Sequence, residues 1–125
     1  MENTKHILDK NKHYSIVGNF WIECNDNKFF GPGRIQLLKL IDETGSLNKA
    51  SKAMKMSYKK AWKMINELNS QTNEPFVILK TGGKEGGGSV LSEEAKYMIN
   101  YSQNLHKRLQ EFLQMETIDL NNHFF

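Results

Sequence analysis

The alternation of hydrophobic and polar residues predicts a β-hairpin and then a helix in the first part of the chain. The segment 15–24, SIVGNFWIEC, is rich in β-branched and aromatic residues, which is typical of a strand. The residues Asn-Asp-Asn at 25–27 favour a turn, and 28–30 are expected to return as a second strand. Apolar residues then recur at helical spacing over 34–44, and Gly45 is a natural end for that helix.

Two further helices, joined by a tight turn, are predicted next. Ser46 is a suitable N-cap for a short helix over 47–54, and Ser57 for a longer helix over 58–70. Residues 55–56 form the turn between them. Two helices joined in this way predict a helix-turn-helix.

A second hairpin and a long helix are predicted in the rest of the chain. Residues 76–80 and 90–91 are typical of two short strands, and the segment between them, TGGKEGGGS, contains five glycines that favour a hairpin loop. Ser92 is a suitable N-cap for a helix that continues to about residue 115. The expected fold class is α+β: a winged helix-turn-helix with a small antiparallel sheet and a long C-terminal helix.

Length and composition are those of one small globular domain. The chain has 125 residues, of which 38% are hydrophobic and 25% are charged. We expect residues 1–14 to form a flexible N-terminal arm, 15–115 the domain with its dimerisation helix over 92–115, and 116–125 a C-terminal tail. No apolar run is long enough to span a membrane, and no signal region precedes the domain, so a cytoplasmic location is expected.

The cysteine and histidine residues give no sign of a metal or cofactor site. Cys24 is the single cysteine, which fits a reducing compartment, and the four histidines are scattered along the chain. No catalytic constellation of side chains presents itself either. We therefore expect no metal, no cofactor and no enzymatic activity.

Positive charge is concentrated in the helix-turn-helix. Six lysines and no acidic residue lie between Ser46 and Asn66, whereas the whole chain carries a net charge of only +3. A basic patch on a nearly neutral body is typical of a protein that binds a polyanion. The alternative is a solvated, lysine-rich face without a partner.

The third helix separates an apolar side from a basic side. At about 100° per residue, Tyr58, Ala61, Ile65 and Leu68 share one side. The opposite side carries Lys59, Lys60, Lys63, Asn66 and Glu67. Recognition helices contact the DNA major groove from their N-terminal half, where these lysines lie. We therefore predict that Lys59, Lys60 and Lys63 contact double-stranded DNA, mostly at phosphates, with Lys55 and Asn66 beside them.

Three residues of this region have two interpretations each. Ser57 caps the helix and is also placed to contact a phosphate. Tyr58 is expected to bury its ring and offer its hydroxyl to a phosphate. Trp62 lies at the boundary of the two sides, and is assigned either to the core or to the DNA backbone. Elsewhere, Phe20, Trp21, Phe29 and Phe30 are expected to fill the core.

The glycine-rich segment is interpreted as a wing. A phosphate-binding loop would need Gly-Lys-Ser/Thr leading directly into a helix, but here 90–91 separate the glycines from the helix. A β-hairpin wing would place Lys80 and Lys84 near the DNA backbone.

The long helix carries an apolar seam with alternating spacings of three and four residues. Such a seam is typical of a dimer interface, and the alternative is packing on the helix's own domain. Its positions are Ala95, Met98, Ser102, Leu105, Leu109 and Phe112, of which all but Ala95 are assigned to the dimer.

Residues 45–69, GSLNKASKAMKMSYKKAWKMINELN, resemble the N-terminal DNA-binding domain of the molybdate-responsive (ModE-type) regulators, which is akin to the LysR-type helix-turn-helix. The segment TGGKEGGGSVLS continues the resemblance, which spans about residues 19–115. It implies a winged helix-turn-helix that dimerises through flanking helices. On the recognition helix, the matching positions are Ser57, Tyr58, Lys59, Ala61 and Trp62. In the wing they are Thr81, Gly82, Gly83, Lys84, Gly86, Gly87 and Gly88.

The sequence departs from the family in two ways. Lys55 stands where such turns often have glycine, and a left-handed conformation there would cost about 1 kcal/mol. The full-length regulators also carry a C-terminal molybdate-binding module, for which this chain has no room, so we expect no molybdate site. The alternative function is a winged-helix module for protein association or an architectural nucleic-acid-binding module. RNA binding is disfavoured because no aromatic RNP-type strand motif is present.

Overall fold

The computed structural model describes residues 4–80 and 88–125. It confirms the predicted α+β class, with four helices and two antiparallel pairs of strands. The elements are, in order, β1 (Ile22–Cys24), β2 (Asn27–Phe30), α1 (Pro32–Thr44), α2 (Leu47–Ala53), α3 (Tyr58–Ser70), β3 (Val77–Leu79), β4 (Ser89–Leu91) and α4 (Glu93–Phe124). Two compact units share them: the larger is Trp21–Tyr101, and the smaller combines the chain up to Phe20 with Ser102–Phe125.

The first hairpin is shorter than the sequence predicts. Asn25 and Asp26 both have positive φ, 51° and 65°, as a two-residue type I′ turn requires. Strand β1 nevertheless begins only at Ile22, so the predicted strand over 15–24 is wrong for its first seven residues. The physical reason lies in hydrogen bonding within the smaller unit, where the Ile16 N–H donates to Thr117 Oγ1 at 2.9 Å instead of to a neighbouring strand.

The core of the larger unit forms where the apolar sides of its helices meet the two hairpins. Leu37, Leu38 and Ile41 of α1 are fully buried, and so are Ala61 and Leu68 of α3. The core also contains Phe30, Leu47, Ala50, Ile65, Phe76, Val77, Leu91, Ala95 and Ile99.

Two of the four aromatic residues expected in this core are there. Phe30 is buried with its ring edge-on to Phe76 at 6.1 Å between centroids, and Phe29 packs against the same cluster. Trp21 is 56% exposed, so its assignment to the core is wrong. Phe20 belongs to the smaller unit, where its ring lies 6.4 Å from that of His106.

Strand β4 is fastened to the start of the helix-turn-helix. Gly45 ends α1 in the left-handed conformation (φ 70°), as predicted. The Ser89 N–H donates to the Gly45 carbonyl at 2.9 Å, and the Leu47 N–H donates to Ser89 Oγ at 3.1 Å. The base of the second hairpin and the first turn of α2 are thus held together by two hydrogen bonds.

The smaller unit pairs the N-terminal segment with the second half of α4. Gln110 Nε2 donates to the Gly18 carbonyl at 3.1 Å, and Asn121 Nδ2 donates to the Tyr14 carbonyl at 3.3 Å. Thr4, within the segment expected to be a flexible arm, donates its hydroxyl to the His123 carbonyl at 3.2 Å. The N-terminal segment therefore has fixed partners along the helix.

Helix α4 continues to Phe124, so the predicted helix end near residue 115 and the separate tail over 116–125 are wrong. No glycine or proline interrupts the sequence after Ser92. Among the described residues, no helix combines the length and apolar composition needed to cross a membrane.

Candidate nucleic-acid interface

The helix-turn-helix is built by two serine caps that the sequence predicts. The Lys49 N–H donates to Ser46 Oγ at the start of α2, and the Lys60 N–H donates to Ser57 Oγ at the start of α3, both at 3.1 Å. Each cap satisfies a backbone donor that has no partner within its helix. The predicted bounds of α3 are confirmed at both ends, and α2 ends one residue earlier than predicted.

The turn between α2 and α3 places a lysine in a conformation that favours glycine. Lys55 has φ 56°, and its N–H donates to the Lys52 carbonyl at 3.0 Å. The next residue, Met56, donates its N–H to the Ser51 carbonyl at 3.0 Å. The turn thus keeps its hydrogen bonds, while the left-handed backbone at a non-glycine residue costs about 1 kcal/mol. The side chain of Lys55 is exposed.

Helix α3 buries one side and exposes a lysine-rich side. Ala61, Ile65 and Leu68 face the core. The exposed side carries Lys59, Lys60, Lys63, Asn66 and Glu67, as the periodicity predicts. On α2 and in the turn, Lys49, Lys52 and Lys55 are exposed as well. The structure therefore brings all six lysines of the basic segment to the surface of one helix-turn-helix.

Two aromatic residues of α3 lie at the surface instead of in the core. Tyr58 is 49% exposed and Trp62 is 45% exposed. The expected burial of the Tyr58 ring and the core interpretation of Trp62 are therefore corrected. Ala61 and Ile65 already occupy the side of α3 that faces the core. The rings of Tyr58 and Trp62 therefore lie at the surface.

Arg34 holds the C-terminal half of α3 in place, and the sequence interpretation did not identify it. Arg34 is buried, with 8% of its surface exposed, and its guanidinium makes three hydrogen bonds. It donates from Nη1 to the Phe29 carbonyl at 2.7 Å and to Gln71 Oε1 at 2.9 Å, and from Nη2 to Glu67 Oε2 at 3.0 Å. The available signal was its helical spacing, since Arg34 lies four and seven residues before the buried Leu38 and Ile41.

Because Glu67 is the acidic residue of α3, its ion pair with Arg34 has an electrostatic consequence. The pair draws the carboxylate toward α1, at the end of α3 away from the lysines. The lysine-rich half of α3 therefore keeps its positive potential.

Asn69 connects α3 to the second hairpin and was also missed. Its Oδ1 accepts hydrogen bonds from the Phe76 and Val77 N–H groups at 2.8 and 3.1 Å, and its Nδ2 donates to the Val77 carbonyl at 2.9 Å. One amide side chain thus sets the position of β3 beside the candidate recognition helix.

The base of the predicted wing is a regular hairpin. Val77 pairs with Leu91, Ile78 with Val90 and Leu79 with Ser89, and the Lys80 N–H donates to the Gly88 carbonyl at 2.7 Å. Gly88 is half-buried at the end of this base. The other positions that match the wing of the family lie outside the described residues: Thr81, Gly82, Gly83, Lys84, Gly86 and Gly87.

The predicted dimer seam of α4 is divided between buried and exposed positions. Ser102 is buried within its own chain, whereas Met98, Leu105 and Leu109 are half-buried. Phe112 is 58% exposed. Within residues 4–80 and 88–125, no group of three His, Cys, Asp or Glu side chains is placed to hold a metal ion.

Three known proteins similar to this chain share the name ModE, although no protein-family model matches the sequence. The Haemophilus influenzae transcriptional regulator ModE is 38% identical over an alignment of 105 positions, which covers 81% of this chain and 41% of that protein. The Escherichia coli K12 DNA-binding transcriptional dual regulator ModE is 44% identical over 78 residues, or 62% of this chain and 30% of that protein. The Azotobacter vinelandii molybdenum transport protein ModE is 35% identical over 88 residues, 70% of this chain and 33% of that protein. The chain thus spans well under half the length of these relatives.

Proposed function

Since this chain is related to the N-terminal winged helix-turn-helix domain of the ModE-type transcriptional regulators, we propose that it binds specific sequences of double-stranded DNA and regulates transcription. The observation that carries the proposal is the exposed lysine cluster on α2, the turn and α3. That cluster lies on the side of the helix-turn-helix away from its core. As a regulator of this kind, the protein would act in the cytoplasm, where bacterial DNA lies.

In the proposed complex, the N-terminal half of α3 lies in the major groove. Lys59, Lys60 and Lys63 then reach phosphates, and Asn66 faces base edges one turn further along the helix. The free N–H groups at the start of α3 add a partial positive charge that favours a phosphate near Ser57. Lys55 and Lys84, together with the other wing residues, are further proposed contacts.

We also propose that the protein acts as a homodimer. Phe112 and Met115 are exposed one turn apart on α4, and a second copy of the chain would cover them. A symmetric dimer would present two α3 helices to half-sites about 34 Å apart.

The direct test is selection of duplexes from a random DNA library, followed by affinity measurements over a series of salt concentrations. We expect selected sites with two-fold symmetry. Lys60→Ala and Lys63→Ala should each weaken binding and reduce the slope of log K against log salt by about 0.9 for each phosphate that is no longer neutralised. Lys39→Ala, a change of an exposed lysine on α1 outside the helix-turn-helix, is the matched control and should leave the slope unchanged.

The alternatives give different results in the same experiment. Salt-sensitive binding without any preferred sequence would favour an architectural role. No binding to any duplex would reject DNA recognition and favour the use of the winged helix in protein association. An unchanged affinity and slope in both lysine variants would show that the DNA contacts lie elsewhere.

A further inference from the structure

Trp62 is a large aromatic side chain at the surface of a lysine-rich helix. It is 45% exposed and lies one helical turn from Tyr58, which is 49% exposed. The core positions of the same helix are filled by Ala61, Ile65 and Leu68, so core packing does not account for either ring. An exposed tryptophan in such a place is typical of a surface that binds a partner.

The position of Trp62 on the helix places it among the proposed DNA contacts. At about 100° per residue, it lies within about 60° of both Lys59 and Asn66 around the helix axis. It is three residues from Lys59 and four from Asn66, and side chains at these spacings are neighbours on a helix surface. Any groove that receives Lys59 and Asn66 therefore also receives the edge of the indole.

The chemistry of the indole selects one feature of the major groove. Phosphates are matched by the surrounding lysines, whereas most of the indole surface is apolar. The apolar group that DNA displays in the major groove is the C5-methyl of thymine, which apolar side chains contact directly. The lysines beside Trp62 also disfavour an apolar protein partner, because each ammonium group would lose its hydration in such an interface.

We propose that Trp62 is a specificity-determining residue that contacts the C5-methyl group of a thymine in each half-site, with Tyr58 supporting it from the preceding turn. This inference rests on the proposed function, and it adds the residue that selects a base and the group on that base that the residue contacts. Trp62 reads a methyl group, and the lysines supply sequence-independent affinity.

The test removes one methyl group at a time from the DNA. In a duplex obtained by selection with the full chain, each thymine is replaced in turn by deoxyuridine, which lacks only the C5-methyl. Affinities are measured at constant salt for the wild type, Trp62→Ala, Trp62→Phe and the control Trp21→Ala. The control removes an exposed tryptophan that lies before β1, outside the helix-turn-helix.

We expect at least one thymine where deoxyuridine weakens wild-type binding about fourfold, the value of one buried methyl group. The same penalty should persist in Trp21→Ala and in Trp62→Phe, which keeps an aromatic ring, and should vanish in Trp62→Ala. Thermal unfolding of each variant verifies that the fold is retained. Trp62→Gln, measured in the same way, should lose the penalty as Trp62→Ala does, because it also removes the apolar ring, so it provides a second test if the alanine variant is unstable.

Three results would overturn the inference. If the deoxyuridine penalties are the same in Trp62→Ala as in the wild type, Trp62 does not read the methyl group. If Trp62→Ala weakens binding to every duplex equally, the ring contacts the backbone. If the wild type binds selected duplexes but no thymine is sensitive to loss of its methyl, the inference fails while the proposed function stands. Only if the wild-type protein binds no duplex are the proposed function and this inference both rejected.

Discussion

Arg34 is a single buried side chain that connects α3, the candidate recognition helix, to two other elements of the fold. Its guanidinium joins the backbone of β2 to Glu67 of α3 and to Gln71, the residue that follows α3, and Gln71 in turn donates to the Lys28 carbonyl at 2.9 Å. A hydrogen bond to a charged group adds more to folding stability than one between neutral groups, and a buried polar atom that loses its partner lowers that stability. Arg34 therefore helps to hold the C-terminal end of α3 against β2, together with the buried side chains of α3.

Replacing Arg34 by methionine should lower the free energy of unfolding by about 2–4 kcal/mol, because the Phe29 carbonyl and the Gln71 amide lose a charged donor. Urea denaturation monitored by circular dichroism measures the effect. The exposed Lys39→Met is the control and should change stability by less than about 0.5 kcal/mol. An Arg34→Met protein as stable as the wild type would mean that the network adds no net stability.

Residues of this kind show where sequence-based prediction ends. The exposure of Lys59, Lys60 and Lys63 follows from helical periodicity, because the apolar stripe of α3 has to face the core. The exposure of Trp62 does not follow, since a ring at the boundary of the stripe is placed by the space that Ala61 and Ile65 leave. The bonds from Arg34 to Glu67 and Gln71 join residues 33 and 37 positions apart, and those of Asn69 reach across a loop to residues seven and eight positions later. Helical periodicity does not encode such pairs.

At the scale of elements, the sequence predicts the ends of helices that have local caps, but not the ends of elements that depend on distant partners. Ser57 fixes the start of α3 through a hydrogen bond three residues away, so the sequence predicts it directly. Strand β1 is shorter than its β-propensity suggests because a strand also needs a neighbour. Helix α4 is longer than its apolar seam because residues of its last turns, such as Thr117 and Asn121, hydrogen-bond to the N-terminal segment.

The turn before α3 permits a test that separates stability from charge. Lys55→Gly should stabilise the protein by up to about 1 kcal/mol by relieving the left-handed strain, whereas Lys55→Ala should not. Both variants remove the charge, so both should lower the salt slope of DNA binding equally, by about 0.9 for each phosphate that Lys55 contacts. Thermal denaturation and fluorescence anisotropy measure the two effects. Equal stability of the two variants would contradict a strained turn.

At the scale of the whole molecule, the proposed dimer accounts for two exposed apolar residues of α4. Phe112 and Met115 belong to a helix whose other side is hydrogen-bonded to its own N-terminal segment. A symmetric dimer would bind DNA through two copies of α3 at once, so its affinity would exceed that of either copy alone. It would also require a fixed distance between the two half-sites, which a monomer does not.

Phe112→Lys should shift the protein toward monomer and weaken binding to a two-half-site duplex at least tenfold, with little effect on a single half-site. Gln114→Lys adds the same charge two residues on, about 160° around the helix, and should leave dimerisation unchanged. Sedimentation equilibrium measures the state of association. A wild type that is monomeric at all concentrations and on DNA would reject the dimer.

The closed base of the second hairpin has a consequence for how such proteins diversify. Lys80 is hydrogen-bonded to Gly88, and Ser89 is hydrogen-bonded to the start of α2. The residues on either side of the segment 81–87 are therefore held in place. A longer connection between fixed points costs little, since doubling its length adds only about 0.6 kcal/mol of closure entropy. Natural insertions, or a peptide tag inserted by an engineer, between Lys80 and Gly88 are therefore expected to cost the protein little stability.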